Sequence, residues 1–129
     1  MRTLEQEVAE KVYRKVSLFG ENQPQGSAKR NQYGAMAHSL PILIRTAGLA
    51  EALAFVQSRG KEGSTALLED LGQVVLDKSA DDFAVQSRDV ELQEYMYLTH
   101  RSLQALKWFK RFAQTILDVP ATQDDGGAR

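Results

Sequence analysis

The chain has 129 residues and a mass of 14.4 kDa, about one domain's worth of sequence. With 43% apolar and 26% charged residues it can form one core, which argues against a wholly disordered chain, and the absence of Cys excludes disulfides, thiolate zinc sites and cysteine nucleophiles. The net charge of −1 hides strong blocks, +3 over residues 1–60, −6 over 61–95, +4 over 96–117 and −2 over 118–129.

Thr3 and Gln6 make a T-x-x-Q capping box, in which each side chain answers an otherwise orphaned backbone N–H. Behind it Leu4, Val8, Val12, Val16 and Phe19 recur at helical spacing, and Gly20 offers a stop. Residues 20–27, GENQPQGS, read as a loop. Ser27 suits the cap of a second helix with the stripe Tyr33, Met36, Ala37, Leu40, Leu43, Ile44 and Ala47. Pro41 falls inside that stripe, so a kink is expected there rather than two elements.

Gly48 breaks the pattern, and Leu49, Ala52, Leu53 and Val56 predict a short third helix ending near Gly60. Ser64 is the expected cap of a fourth, with Leu67, Leu68, Leu71, Val74 and Val75 on one face. Residues 79–89 read as a loop or one weak turn. A last helical region runs from about Val90 to Leu117, with Thr99 placed to cap a restart, and Pro120 ends it. No stretch alternates like a half-buried strand. The expectation is an all-α bundle of five or six helices spanning 1–118, with a disordered tail at 119–129.

Catalytic signals are weak. GKEGST, from Gly60 to Thr65, lacks the strand and the residue order of a phosphate-binding loop. His38 and His100 have no carboxylate three or four residues away, so metal ligation is disfavoured. The acids Glu69, Asp70, Asp77, Asp81, Asp82, Asp89, Glu91 and Glu94 are fixed as pairs by nothing but adjacency, and they read as a solvated face suited to docking. No enzyme, metal or cofactor is indicated. No apolar run approaches the ~20 residues of a membrane span, and the N-terminus is unlike a signal peptide. A soluble, cytoplasmic protein is expected.

The last helix carries the most information. At 100° per residue, Leu103, Ala105, Leu106, Trp108, Phe109, Phe112, Ala113, Ile116 and Leu117 cover more than half its circumference. Trp108 and Phe112 are therefore expected mostly in the core. The remaining arc holds His100, Gln104, Lys107, Arg111 and Gln114, with Lys110 at the apolar margin and no carboxylate on that stretch of helix to neutralise it. In the second helix Lys29 and Arg30 occupy the first turn, where cations oppose the helix dipole at a cost of roughly a few tenths of a kcal/mol each. Both features suggest an anionic partner.

Two blocks carry a family resemblance. YGAMAHSLPILIRTAGLAEALAFVQSRG, from Tyr33 to Gly60, has Leu40-Pro41, the Gly48-Leu49 break and Phe55-Val56 before the closing Gly. EYMYLTHRSLQALKWFKRFAQ, from Glu94 to Gln114, has Tyr95, Leu98-Thr99, Trp108, Lys110-Arg111, Phe112 and Ala113. Together these resemble the small, all-helical fifth subunit of the Cmr complex, the type III-B CRISPR–Cas effector, over about residues 1–117. One departure is Arg101-Ser102 after His100, where the family often has Glu-Ala after the Thr.

The resemblance implies a non-catalytic structural subunit. It implies stacking with copies of itself in a minor filament along the RAMP-type backbone subunits, near the large subunit, beside guide and target RNA. On its own the chain is expected as a monomer or weak oligomer. The expected RNA-facing residues are Lys107, Lys110, Arg111, Lys29 and Arg30, with Arg14, Lys15 and Arg45 forming or flanking the same surface. The competing reading is a generic helical protein–protein adaptor with no nucleic-acid role. A metal- or nucleotide-dependent enzyme is the more distant alternative.

Overall fold

The computed structural model describes residues 1–121, and within them the chain forms six α-helices and no strand. Helix α1, Leu4–Asn22, opens on the expected capping box, with Gln6 N–H donating to Thr3 Oγ1 at 3.1 Å and Thr3 N–H to Gln6 Oε1 at 2.8 Å. Val8, Val12 and Val16 are its buried stripe. Gly20 does not stop the helix, which runs on to Asn22. Its lack of a side chain serves packing instead, because a Cβ there would lie 3.0 Å from Leu117 Cδ2.

Helix α2, Ala28–Ala47, is capped by Ser27 and stays continuous through buried Pro41. It is the centre of the bundle, packed on α3, α4 and α6, while α1 lies across α6 and α4. Gly48, at φ 92°, ends it by donating to Ile44 O at 2.9 Å. Helix α3, Leu49–Arg59, has no side-chain cap from its own N-cap residue, and Tyr95 from the last helix supplies one, its hydroxyl accepting from Ala50 N–H at 3.1 Å. Gly60, at φ 66°, closes α3 in the left-handed region glycine favours.

Helix α4, Glu62–Leu76, corrects the expected start: Ser64 is not the cap but a buried residue inside the first turn. The helix begins three residues earlier, with Lys61 as its N-cap, because α2 does the capping, with Gln32 Oε1 accepting from Gly63 N–H at 2.9 Å. Helix α5, Ala80–Asp89, overturns the reading of residues 79–89 as a loop. Ser79 Oγ accepts from Asp82 N–H at 3.2 Å, Glu69 Oε1 from Ala80 N–H at 2.9 Å, and Phe83 is fully buried. One large anchor and two caps outweigh the polar composition of so short a helix.

Helix α6, Leu92–Thr115, is unbroken. Thr99 does not cap a restart, since its hydroxyl donates back to Tyr95 O at 2.8 Å inside the helix. After α6 the chain turns through Asp118, at φ 59°, and Val119 is 2% exposed, seated where Gly34 leaves room on α2. The packed chain thus passes the boundary expected at 118, while the tail beyond residue 121 lies outside the described residues. His38 is buried and its Nε2 meets Val119 O at 2.9 Å, a structural contact.

An ionisable pair joins the core to its edge between α2 and α4. Tyr33, fully buried and stacked on Phe19 at 3.9 Å, donates its hydroxyl to Asp70 Oδ2 of α4 at 2.6 Å. Burial pushes the Asp70 carboxyl up from its ordinary value, against the opposing pull of the Tyr33 hydrogen bond and of Lys15. Burial, followed by the Asp70 charge, also pushes the Tyr33 phenol up. A carboxyl raised in the folded state binds its proton more tightly there than in the unfolded chain. Its stabilising contribution is therefore complete below the unfolded value of about 4 and is lost as pH rises through the folded value. Asp70→Asn is expected to gain stability relative to the parent as pH rises over that window. Thermal melts across pH check it, and a constant difference would deny Asp70 a raised value.

Candidate nucleic-acid interface

Helices α2 and α6 pack along one another and enclose a groove of about 550 Å³. It is walled by Pro41 and Arg45 of α2 and by His100, Leu103, Gln104, Lys107, Lys110, Arg111 and Gln114 of α6. Four of the eight cations expected at an RNA-facing surface, Arg45, Lys107, Lys110 and Arg111, meet here, and no carboxylate is among the lining residues. The α6 members rise in one row because residues three and four apart share a helix face. Pro41 and Leu103 give the groove its apolar part. His100 lines it too, which its place on the polar arc of α6 could have suggested.

One carboxylate does reach the row from outside. Glu5 of α1 accepts from Lys107 Nζ at 2.9 Å, a pairing across 102 positions that no helical wheel of α6 could show. Both partners are exposed, so the bridge is worth at most about 1 kcal/mol and yields readily to a phosphate. Lys107 Nζ also lies 5.6 Å from the Trp108 ring centroid.

The other four expected cations lie elsewhere. Arg30 is committed to the fold: its guanidinium donates to Gln23 O at 2.8 Å, Leu117 O at 3.1 Å, and Gly20 O and Ile116 O at 3.2 Å each. These carbonyls lie at the ends of α1 and α6, whose negative dipole ends offset the unfavourable position of Arg30 in α2. Lys29 is half-buried at the N-terminal end of α2, about 24 Å along the helix from Arg45 at ~1.5 Å per residue. Arg14 and Lys15 line a separate groove with Lys11 and Arg101. Arg14 shares Glu10 with Arg2, at 2.6 Å for Arg14, and these two cations hold the Glu10 carboxyl below its usual value. Of the departing pair, Arg101 is in that second groove and Ser102 is fully buried.

Trp108 and Phe112 are half-buried rather than central, stacked on each other at 5.7 Å with Tyr13 edge-on to Phe112 at 5.5 Å. The neighbouring Phe109 takes the fully buried position. A fully buried Phe costs about 3–5 kcal/mol on truncation to Ala, so Phe112→Ala is expected to cost about 2 kcal/mol, read in a denaturant melt. A loss equal to that of Phe109→Ala would put Phe112 in the core after all. Among the described residues, no three His, Asp or Glu side chains are grouped to hold a metal, and no helix is long and apolar enough to cross a membrane.

The fold is a small helical bundle with a cationic groove between α2 and α6, and comparison with known proteins gives its family. The family model for the CRISPR-associated protein Cas_Cmr5 matches residues 4–116, and the chain belongs to that family. It is 44% identical over 118 residues to the CRISPR system Cmr subunit Cmr5 of Thermus thermophilus, covering 92% of this chain and 99% of that one. The crystal structure of a CRISPR-associated Cmr5 family protein from Thermus thermophilus is similar, with a TM-score of 0.80 and 44% identity over 91% of this chain and 99% of the other.

Proposed function

We propose that the chain is a non-catalytic subunit of a type III-B CRISPR–Cas (Cmr) effector complex and lays its α2–α6 groove along RNA. The carrying observation is the convergence of Arg45, Lys107, Lys110 and Arg111 on one groove with no carboxylate among its lining residues. The similarity to a Cmr subunit supports membership of the complex, and with it association with the RAMP-type backbone subunits, the large subunit and further copies of itself. The groove presents cations and amides, with His100 its sole ring besides proline, so it suits the sugar–phosphate backbone better than extended base stacking. Binding should accordingly be indifferent to sequence and sensitive to salt.

The test is the assembled complex carrying Lys107→Glu and Arg111→Glu together, because one small module makes few phosphate contacts by itself. Assembly should survive while target-RNA affinity falls at least about tenfold, and the salt slope should flatten by about 1.4 for two lost single-strand contacts. Unchanged affinity and slope would return the groove to ordinary solvated surface. The adaptor reading draws on Leu92 and Met96, 73% and 61% exposed, which lie N-terminal to His100 on α6. That reading expects Leu92→Ser with Met96→Ser to abolish assembly and leave no RNA dependence to measure.

A further inference from the structure

The cationic groove between α2 and α6 opens beside the point where the described residues end. Gly34, His38, Pro41 and Arg45 fall at i, i+4, i+7 and i+11 of α2 and so share one face of the helix. Val119 is seated on Gly34, and its carbonyl meets His38 Nε2 at 2.9 Å. Pro41, one turn further along the same row, is already a wall of the groove. On the α6 side, Val119 N–H donates to Ala113 O at 2.9 Å, one residue from Gln114 of the opposite wall. Arg30 holds the Ile116 and Leu117 carbonyls, and Gln25 Nε2 donates to the Asp118 carboxylate at 3.1 Å, so the chain is pinned at the groove mouth. Beyond it the sequence TQDDGGAR, residues 122–129, carries the adjacent acids Asp124 and Asp125, with its one cation, Arg129, four positions further on.

We propose that this acidic segment folds back into the α2–α6 groove of its own chain, with Asp124 and Asp125 on the cations of the groove, and occupies it until RNA displaces it. The groove supplies Arg45, Lys107, Lys110 and Arg111 with no carboxylate among its lining residues, and the segment supplies the opposite charge close by. Asp124 is five residues beyond Val119, a reach of up to about 17 Å at ~3.4 Å per residue. Pro41 and Arg45 stand only about 5 and 11 Å along α2 from His38, where Val119 is fixed, at ~1.5 Å per residue. A tether this short keeps the two carboxylates at an effective concentration on the order of millimolar, so weak exposed ion pairs suffice. A carboxylate on a separate protein lacks that advantage, which makes the chain's own segment the occupant the geometry favours. The contact itself rests on the charge of the groove, and its competition with RNA rests on the RNA reading above.

The chain has no Cys, so Ala128→Cys gives a single place for a nitroxide label in the full-length protein. At low salt, paramagnetic broadening of the Arg45, Lys107 and Arg111 amide signals should be strong, and it should fall in about 1 M salt, where the Debye length is near 3 Å. Asp124→Asn with Asp125→Asn should weaken it likewise, as should Lys107→Glu with Arg111→Glu. Joining the latter pair to Asp124→Lys with Asp125→Lys should restore it, because the reversed contact is complementary again. Broadening that is the same in the Asn variant as in the parent overturns the proposal. So does broadening carried from nitroxide-bearing chains to isotope-labelled chains without nitroxide in a mixture, which would put the segment in another copy's groove. In the assembled complex, Asp124→Asn with Asp125→Asn should tighten target-RNA binding about fivefold at low salt, the gain shrinking as salt rises. Unchanged affinity there, with Lys107→Glu and Arg111→Glu still weakening RNA binding, overturns the competition. Affinity unchanged in both variants faults the RNA reading instead, and the broadening then decides the tail contact by itself.

Discussion

Replacing Arg30 with Ala is expected to destabilise the bundle by about 3 kcal/mol, because its charged guanidinium is the donor in hydrogen bonds that each contribute about 1.5–3 kcal/mol. Arg30 makes four of them, to the Gly20, Gln23, Ile116 and Leu117 carbonyls at the ends of two other helices. The sum overstates the loss, because the side chain is only half-buried and water can reach some of the carbonyls once it is gone. At about 2–8 °C per kcal/mol, the melting temperature should fall by roughly 10 °C. Arg30→Lys should recover little, since an ammonium cannot span carbonyls that a planar guanidinium reaches with three separate nitrogens. In the assembled complex, below its melting temperature, the same variant should bind RNA as the parent does. A variant that melts normally and loses RNA affinity instead would put Arg30 back among the RNA-facing cations.

Arg30 also shows what kind of inference a sequence supports. Two cations in the first turn of α2 are a real anomaly, and an anionic partner is a sound expectation, but for Arg30 the partners are backbone carbonyls brought from 7 to 87 positions away. Features closed within a few residues were legible. The Thr3–Gln6 box, the Ser27 cap, the Gly48 break and the Gly60 stop each need no other helix to explain them. Features fixed by a second helix were not legible. Ser64 resembles a cap, yet Gln32 of α2 starts α4 earlier, and residues 79–89 become helical because Glu69 and Phe83 tie them to α4 and the core.

The same division runs through the candidate interface. The row Lys107, Lys110 and Arg111 follows from helical period alone, while the arrival of Arg45 beside it depends on how α2 crosses α6. Arg14 and Lys15 carry the same charge but face a different groove, and Glu5 reaches into the row from α1. Net charge per segment therefore located a basic helix correctly and could not say which cations share a surface. The RNA reading rests on four convergent residues, not on the eight that the charge pattern nominated.

Among the described glycines the closest approach is where α4 meets α2, and Gly63→Ala should expose how little room it has. A Cβ at Gly63 would stand 2.2 Å from Lys29 O, 2.5 Å from Gln32 Cβ and 2.8 Å from Tyr33 N. Two of these three are backbone atoms of α2, so the contact cannot be relieved by a side chain swinging aside. Alanine brings a gain of about 1 kcal/mol in helix propensity over glycine, while overpacking a filled core costs typically about 1–3 kcal/mol and sometimes more. Here the overpacking dominates, because moving α4 away also strains the Gln32 cap of Gly63 and the Tyr33–Asp70 hydrogen bond. The net loss should be about 2 kcal/mol or more, measured by denaturant melt. It should be accompanied by faster hydrogen exchange at the start of α4, where the Gln32–Gly63 contact holds the first turn. Gly26→Ala provides the contrast: nothing lies within 4 Å of a Cβ there, and its φ of 85° brings only local backbone strain. That variant should leave α4 exchange unchanged. If Gly63→Ala melts at or above the parent, α2 and α4 can separate freely, and the close crossing is not what holds them.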